Sequence, residues 1–432
     1  MTEKEMEAFI ESVTMKGMVL GLESISRLLD KMGHPEQKLA FVHIAGTNGK
    51  GSVLAYTSTI LKEAGYRVGR YLSPVINEYR EKIQVNGRMI SKKDLMLGME
   101  FAKKCVDELV EEGFPSPTIF EIETAIAFWY YDMKKCDIVV LETGMGGRDD
   151  ATNIIPAPLV CAFASISMDH IGILGRNISE IAQVKAGIIK KGAIVVSAEQ
   201  RPEAAEVLLS VAKANNCAIH YATEPVVTRE NLKGITFNYG SYKALKSTMI
   251  GSYQPGNAAV AIEIIEALRS RGMSISDENI YAGIEHAEWT GRFEVVKKKP
   301  LIIMDGAHNE DASIRLRQSI TGYIGDKPMI FIVGVLADKE YEKVLANTLD
   351  LCRYCITVTP PSPRALSGNE LAIAAGNYNS NVTCAGSVEE ALEMAALIGN
   401  DEYVIIAFGS LSFLGKFKRA ALDMNGRKEI KL

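Results

Sequence analysis

Long uninterrupted apolar runs are missing from this chain of 432 residues. None approaches the roughly 20 residues that a bilayer-spanning helix needs, which excludes a helical membrane span. The opening Met1-Thr-Glu-Lys-Glu-Met-Glu7 alternates in charge and holds no apolar stretch, so no secretory signal is expected there. A basic excess is missing too. The 48 Lys and Arg face 53 Asp and Glu, a net charge of −5, which gives no electrostatic case for nucleic acid. Cysteine is sparse and odd in number, seven over the whole length, which points to reduced thiols in a cytoplasm rather than a disulfide framework. The one Cys-x-x-Cys, Cys352 and Cys355, lacks a second pair for zinc. It straddles an expected helix end and strand start, so buried core thiols are the plainer reading. Internal repeats, low-complexity tracts and long linkers are also missing. What remains is an ordinary globular composition, 47% hydrophobic and 23% charged. The length exceeds what a single core usually holds, so two or three domains are expected.

Strand and helix patterns alternate, which implies an α/β fold with a mostly parallel sheet and crossover helices. Lys38 to Ala45 predicts a strand, Lys50 to Ala64 a helix closed by Gly65, and Arg67 to Leu72 the next strand. Thr118-Ile-Phe-Glu121 has the spacing of a capping box opening a helix to Met133. Asp137 to Glu142 and Leu159 to Ile166 predict buried strands. From Pro225 to Ile250, short alternating segments predict a small antiparallel meander, and Pro255 opens a helix through Leu268. After Gly291 the alternation restarts, with strands predicted at Leu301–Met304, Met329–Val333, Tyr354–Thr359, Asn381–Cys384 and Tyr403–Phe408. The expected division is an N-terminal P-loop-type domain over residues 1–290 and a smaller Rossmann-like α/β domain over 291–432.

The strongest local signal is Gly46-Thr-Asn-Gly-Lys-Gly-Ser52, between a strand and a helix. Small residues there let backbone N–H groups surround phosphates at a helix N-terminus, where the dipole also favours anions. Thr47, Asn48, Gly49, Lys50, Gly51 and Ser52 are the candidate nucleotide contacts, with Lys50 supplying a cation to the β- and γ-phosphates. The usual P-loop spacing is not met: only three residues separate Gly46 from Lys50, and Gly51 precedes Ser52. Glu142 ends a strand and is followed by Thr-Gly-Met-Gly-Gly147, the place for a Mg²⁺ ligand beside a nucleotide. Asp169-His170 follows a further strand and taken alone reads equally well as structural. Lys185 reads from its surroundings as a helix-end lysine on a solvated face. Asp305-Gly-Ala-His-Asn309 lies at a strand's carboxyl end, where open α/β sheets contact ligands, and Asn309 is also suited to cap a helix.

Taken in order, these motifs resemble the folylpolyglutamate synthase and dihydrofolate synthase family of the Mur ligase superfamily. The resemblance runs over nearly the whole chain. It includes Tyr71-Leu-Ser-Pro74, Glu142-Thr-Gly-Met-Gly-Gly-Arg148, Asp150-Ala-Thr-Asn153, Ser167-Met-Asp-His170, Lys185-Ala-Gly-Ile-Ile189, Gly256-Asn257, Gly291-Arg-Phe293 and Asp338-Lys339. It implies an ATP-dependent ligase that forms an acyl-phosphate on a folate or dihydropteroate carboxylate, which the amine of L-glutamate then attacks. It further implies two Mg²⁺ ions, with Ser73, Glu142 and His170 as ligands and Lys185 joining them as a carbamate. Lys50, Lys185 and His170 would be the catalytic set. Asn257 would contact adenine, Arg292 the phosphates and Asp305 the ribose. Thr118, Phe120, Glu121, Arg148 and Asp150 would form the pterin end of the substrate site, and His308, Lys339 and Ser410 would handle glutamate. The expected protein is a cytoplasmic monomer with small-molecule substrates and no nucleic-acid or membrane partner.

The departures from the family pattern touch substrate details. Ser-Pro-His stands here as Ser73-Pro74-Val75, the Gln after Gly-Arg-Phe is Glu294, Asp149 replaces a common Leu, and Glu310 a usual Pro. Two rival readings are a sister ligase that extends another poly-amino-acid and a nucleotide-hydrolysing switch protein. The Thr118–Glu121 and Lys185–Ile189 contexts favour folate over the first. A second domain presenting Asp305 and His308 is not needed by the second.

Overall fold

The computed structural model describes residues 1–14, 21–399 and 402–424. Its larger sheet contains β1 (Phe41–Ala45), β2 (Val68–Tyr71), β3 (Ile83–Val85), β4 (Arg88–Met89), β5 (Ile138–Glu142), β6 (Val160–Phe163), β7 (Ile194–Ser197) and β8 (Ile219–Tyr221). The spatial order is β4-β3-β2-β5-β1-β6-β7-β8. Every pairing from β2 through β8 is parallel, while β3 and β4 form an antiparallel hairpin on the β2 edge. β1 is wholly buried because it pairs on both edges and is covered on both faces. Phe41 enters the apolar cluster on one face, and Val42 and Ile44 enter that on the other.

The helix Lys50–Glu63 follows β1 and is buried from Gly51 to Leu61. It is covered by the helices Gln254–Ser270 and Asp277–His286. A helix enclosed all round has little amphipathic signature, and its sequence is correspondingly mixed. The expected meander is a three-stranded antiparallel sheet: β9 (Val226–Asn231), β10 (Gly234–Tyr239) and β11 (Tyr242–Ser247).

The third sheet holds β12 (Glu294–Lys298), β13 (Leu301–Met304), β14 (Met329–Val333), β15 (Tyr354–Thr357), β16 (Val382–Cys384) and β17 (Val404–Phe408), in the order β12-β13-β17-β14-β15-β16. All its pairings are parallel except β12 with β13. Cys352 and Cys355 are buried free thiols, as expected.

Some expectations needed correction. The first strand begins at Phe41 rather than Lys38, because Pro35–Lys38 forms a 3₁₀ turn. β12, the β3–β4 hairpin, β7 and β8 had no counterpart in the sequence reading. β12 is a charged edge strand, Glu-Val-Val-Lys-Lys, only half-buried and lacking the apolar run of its neighbours.

Candidate functional site

Parallel strands place their carboxyl ends on one edge of a sheet, and that edge is where the chain turns into loops able to hold ligands. Here β1, β2, β5 and β6 deliver Gly46, Ser73, Glu142 and Asp169 to such an edge, and β13, β14 and β17 deliver Asp305, Lys339 and Ser410 to another. The two edges face each other across one cleft of about 440 Å³.

The turn between β1 and its helix uses two glycines in the left-handed region, Gly46 at φ 150° and Gly49 at φ 94°. A side chain on Gly49 would also meet Asn257, whose Oδ1 lies 2.5 Å from where a Cβ would stand. The amides of Thr47 and Asn48 are not free for phosphate, since both donate to Ser165 O, at 2.7 and 3.2 Å. The open donors are those of the helix's first turn, Lys50 to Ser52, which have no intrahelical acceptor. The unpaired backbone donors of the motif are therefore in its second half. Ser52 Oγ is buried without a hydrogen-bond partner at this point.

Lys50 opens the helix and is not a surface-loop lysine. Its Nζ donates to Gly46 O at 3.1 Å and to Thr47 O at 3.4 Å, and lies 4.0 Å from Glu142. Glu142 is buried, and burial pushes its carboxyl up to about 7 against the opposing pull of Lys50 and Arg292. Lys185 overturns its reading as a solvated helix-end residue. It does fall in the last turn of the helix Ile178–Ala186, but it is buried and donates to Gly46 O at 2.8 Å. Burial, with the charge of Lys50 next, lowers its amine to about 7. His170, whose φ of 51° is left-handed, is lowered to about 4, chiefly by burial.

Asp169 joins the two edges. Its Oδ1 accepts from Lys339 at 2.5 Å, and its Oδ2 lies 3.7 Å from His308 Nε2 and accepts from Asn309 Nδ2 at 3.4 Å. Burial opposes its charge, yet the facing His308 ring and the Lys339 cation outweigh it and hold the carboxyl well below the usual range. Asn48 and Asn309 exchange amide hydrogen bonds at 3.1 Å each way, and Asn48 also reaches Asp311 at 3.0 Å. At the cleft's other end Asp305 accepts from Tyr253 Oη at 2.6 Å, Phe293 N at 2.7 Å and Ala307 N at 2.8 Å. Burial raises its carboxyl, and Arg292 pulls it back. Arg292 lies over Gly306, where a Cβ would collide with Nη1.

Thr47, Asn48, Gly49, Lys50, Ser52, Ser73, Glu142, His170, Asn257, Arg292, Asp305, His308, Lys339 and Ser410 thus line a single cleft. Gly51 and Lys185 do not line it: Gly51 packs against Trp289, and Lys185 is held on Gly46 O. Five further sequence candidates do not open onto it either. Thr118 and Glu121 close a capping box on the helix Ile119–Met133. Asp150 is raised by burial and accepts from Met145 N and from Thr152 N and Oγ1. Arg148 is exposed, pairs with Asp149 and lines a separate surface cavity of about 400 Å³. Phe120 touches the cleft only indirectly, its ring against Gly144. Sequence reasoning did not assign Tyr253, Arg315 or Arg364, which also line the cleft, or give Asp169 its central place. Asp169 was legible as half of Asp169-His170, whereas Tyr253 carried no signal.

Among the described residues no three His, Cys, Asp or Glu side chains converge as a preformed metal cage. The donors still suit Mg²⁺, which keeps waters and phosphate oxygens and needs few protein ligands. Ser52 Oγ is an orphaned hydroxyl, Glu142 is a buried carboxylate whose charge a cation would restore, and Ser73 and His170 share their cleft.

Residues 44–265 match the Mur ligase middle domain, and residues 291–411 match the Mur ligase glutamate ligase domain. The chain is 34% identical, over 93% of its own length and 95% of the relative's, to a dihydrofolate synthase/folylpolyglutamate synthase of Bacillus subtilis. It is similar to the crystal structure of folylpolyglutamate synthase from Thermotoga maritima, with a TM-score of 0.84, 33% identity and 96% of each chain covered. It is similar also to Mycobacterium tuberculosis folylpolyglutamate synthase complexed with ADP and AMPPCP, with a TM-score of 0.89, 28% identity and 98% of each chain covered.

Proposed function

The chain belongs to the folylpolyglutamate synthase/dihydrofolate synthase family of Mur ligases, and from that premise we propose how its cleft joins L-glutamate to folate. It is an ATP-dependent ligase. The single observation that carries the site assignment is the convergence of Lys50, Glu142, Asp305 and Lys339 on one cleft from two sheet edges. ATP lies with its phosphates at the first turn of the helix Lys50–Glu63, its adenine beside Asn257 and its ribose at Asp305. Lys50 and Arg292 neutralise charge as the γ-phosphoryl passes to the substrate carboxylate. The acyl-phosphate then meets the amine of glutamate, held by His308, Lys339 and Ser410. The amide forms, phosphate leaves, and the amine's protons pass to solvent or to a neighbouring base. Enclosure between the two edges keeps water from the intermediate.

Ser73, Glu142 and His170 would hold Mg²⁺, and Lys185, as a carbamate, would complete the ligands of a second ion. When bound, the metal supplies positive charge to the phosphates. Lys185 suits carbamate formation because CO₂ adds to a neutral amine, and burial brings this one to about 7. Thr118, Phe120, Glu121, Arg148 and Asp150 would frame the pterin from beyond Gly144, with Phe120 as the contact nearest the cleft. Dihydropteroate is a second substrate on this reading, supported by the double name of the Bacillus subtilis relative. The division into domains at residue 290, a monomeric state and a cytoplasmic setting complete it. The seven free cysteines support that setting, and no described helix is long and apolar enough to cross a membrane.

The test is a substrate panel. Purified protein receives ATP, Mg²⁺ and L-glutamate with tetrahydrofolate or dihydropteroate, and glutamylated product and ADP are measured. ADP release that needs both a folate and glutamate supports the reading. Release that needs neither substrate would overturn it in favour of a hydrolytic switch.

A further inference from the structure

Pro74 separates the nucleotide cleft from a second cavity of about 560 Å³ and lines both. β2 and the helix Lys50–Glu63 form the floor of this cavity, the β3–β4 hairpin one side, and His286 to Thr290 the other. Arg70 stands half-buried at the floor. Its guanidinium donates to Ser58 Oγ at 2.8 Å and Thr59 Oγ1 at 3.4 Å, and no carboxylate of the described residues lies within ion-pair reach. Lys62 and Arg88 stand exposed at the rim, also without a carboxylate partner. Most acids of the same wall are already occupied. Glu81 accepts from the amides of Ile76 and Asn77, and Glu63 faces His286 at 3.2 Å. Of the acids lining this cavity, only Glu288 is without a partner among the described residues.

Three unpaired cations against one unpaired acid is an unusual surplus in a chain of net charge −5. A half-buried cation without a counter-ion is unfavourable unless a ligand supplies one. The spread of the charges, one at the floor and two at the rim, suits a ligand with more than one anionic group. Trp289 gives the cavity an aromatic wall and also backs the phosphate loop: a Cβ on Gly51 would lie 2.4 Å from its Cζ2.

We propose that this cavity binds a polyanion through Arg70, Lys62 and Arg88, apart from the nucleotide cleft. The chemistry required is linked carboxylates or linked phosphates. An oligo-γ-glutamate chain and a condensed phosphate are the two sources to be told apart. The inference stands on the cavity's own charges and does not depend on folate being the substrate.

The chain has two tryptophans, Trp129 and Trp289, so Trp129→Phe leaves Trp289 as sole reporter. That variant is titrated with tri-γ-glutamate and, separately, with inorganic triphosphate. Emission and titration calorimetry are read together, so that a silent ring is not mistaken for an empty cavity. The expected result is saturable binding of one or both probes that weakens as salt rises. Adding Lys62→Ala and Arg88→Ala should weaken it tenfold or more, and adding Arg70→Met should abolish it. With Lys50→Ala in its place, binding should persist while ligation is lost, which keeps a failure here distinct from a failure of the ligase reading. Absence of saturable heat and emission change at millimolar probe would overturn the proposal. So would affinity unchanged by the rim variants, or binding that vanishes with Lys50.

Discussion

The ammonium groups of Lys50 and Lys185 meet on one acceptor, the carbonyl oxygen of Gly46, at 3.1 and 2.8 Å. Burial disfavours the charged form of the more enclosed amine, and a second cation so close adds repulsion. That amine is Lys185, lowered to about 7. The pair divides the labour of the loop. Lys50 lines the cleft, and Lys185 stands behind it as an amine lowered first by burial and next by the charge of Lys50.

Lys50→Ala should therefore leave the fold standing while removing catalysis. Its hydrogen bonds go to two carbonyls of its own turn, so the loss of stability should stay near 1 kcal/mol. Loss of a charge that stabilises the transferring phosphoryl should lower turnover by about 10²–10³-fold or more. A melting curve and a steady-state assay on one preparation check both. A folded variant with near-normal turnover would remove Lys50 from the chemistry.

Lys185 should impose a stability penalty with a defined pH window. Unfolded, its amine titrates at 10.5; folded, at about 7. Between these values the unfolded chain holds the extra proton, so stability rises with pH across that window. The penalty is complete below about pH 7 and disappears toward 10.5. Lys185→Met, which keeps the apolar stem, should therefore be more stable than the parent near neutral pH, by on the order of a few kcal/mol. The gap should narrow by pH 9.5. Urea unfolding in bicarbonate-free buffer at both pH values tests it, and a gap that widens with pH would contradict the burial argument.

Glu142 should make the need for Mg²⁺ pH-dependent. Burial raises its carboxyl to about 7, so between 4.5 and 7 the folded protein holds a proton that a metal must displace. The Mg²⁺ giving half-maximal rate should rise steeply, up to about tenfold per pH unit, as pH falls below 7. His170, lowered to about 4, stays neutral through this range and adds no slope. Glu142→Ala should need more Mg²⁺ at every pH with a shallower slope, and His170→Ala should need more with the slope retained. A normal Mg²⁺ titration in either variant would strike that residue from the ligands.

Much of this architecture was legible where one local signal decided it. Thr118 and Glu121 form the capping box their spacing announces. Leu301–Met304 and Met329–Val333 are strands at the expected residues, because a strand covered on both faces must be a short apolar run. The β3–β4 hairpin escaped notice although Asn86-Gly87 turns it at φ 49° and 77°, since β4 is only two residues long. Lys185 shows the deeper limit. It is buried with its amine on Gly46 O, 139 residues away, and no window around the lysine contains that contact. Asp150 shows another, for both its carboxylate oxygens serve as acceptors within its own loop, whereas Glu121 spends only Oε2 on its cap and keeps Oε1 without a partner.

Tyr253 offers a test of the nucleotide end. Its hydroxyl donates to Asp305 Oδ2 at 2.6 Å, beside the amides of Phe293 and Ala307. Tyr253→Phe removes one donor from a buried carboxylate that retains two others. A hydrogen bond to a charged group is worth about 1.5–3 kcal/mol, so the KM for ATP should rise roughly ten- to a hundredfold. The kcat should change little, since Asp305 is assigned to the ribose and not to the reacting phosphate. A fall in kcat at unchanged KM would place Asp305 nearer the chemistry than that.

The fate of the Lys185 amine is the sharpest question the site raises. As an ammonium it would be a second cation beside Lys50, and as a carbamate an anion in the same place, so the two states make opposite demands on a metal. We expect the carbamate in the active enzyme. Lys185→Ala should then lower ligation by several orders of magnitude while ATP still binds. Formate or acetate, small enough to fill the vacated space, should restore part of the rate in a saturable way. A lysine with only a structural role would give a variant insensitive to short carboxylates and normal in turnover once folded. Because CO₂ adds to the neutral amine and a proton is released, the dissolved CO₂ giving half-maximal activity should be higher at pH 6 than at pH 8, where more of the lysine is unprotonated. ¹³C-labelled bicarbonate gives an activity-free check: a carbamate resonance present in the parent and missing from Lys185→Ala. A parent fully active without bicarbonate, showing no such resonance, would sink the assignment.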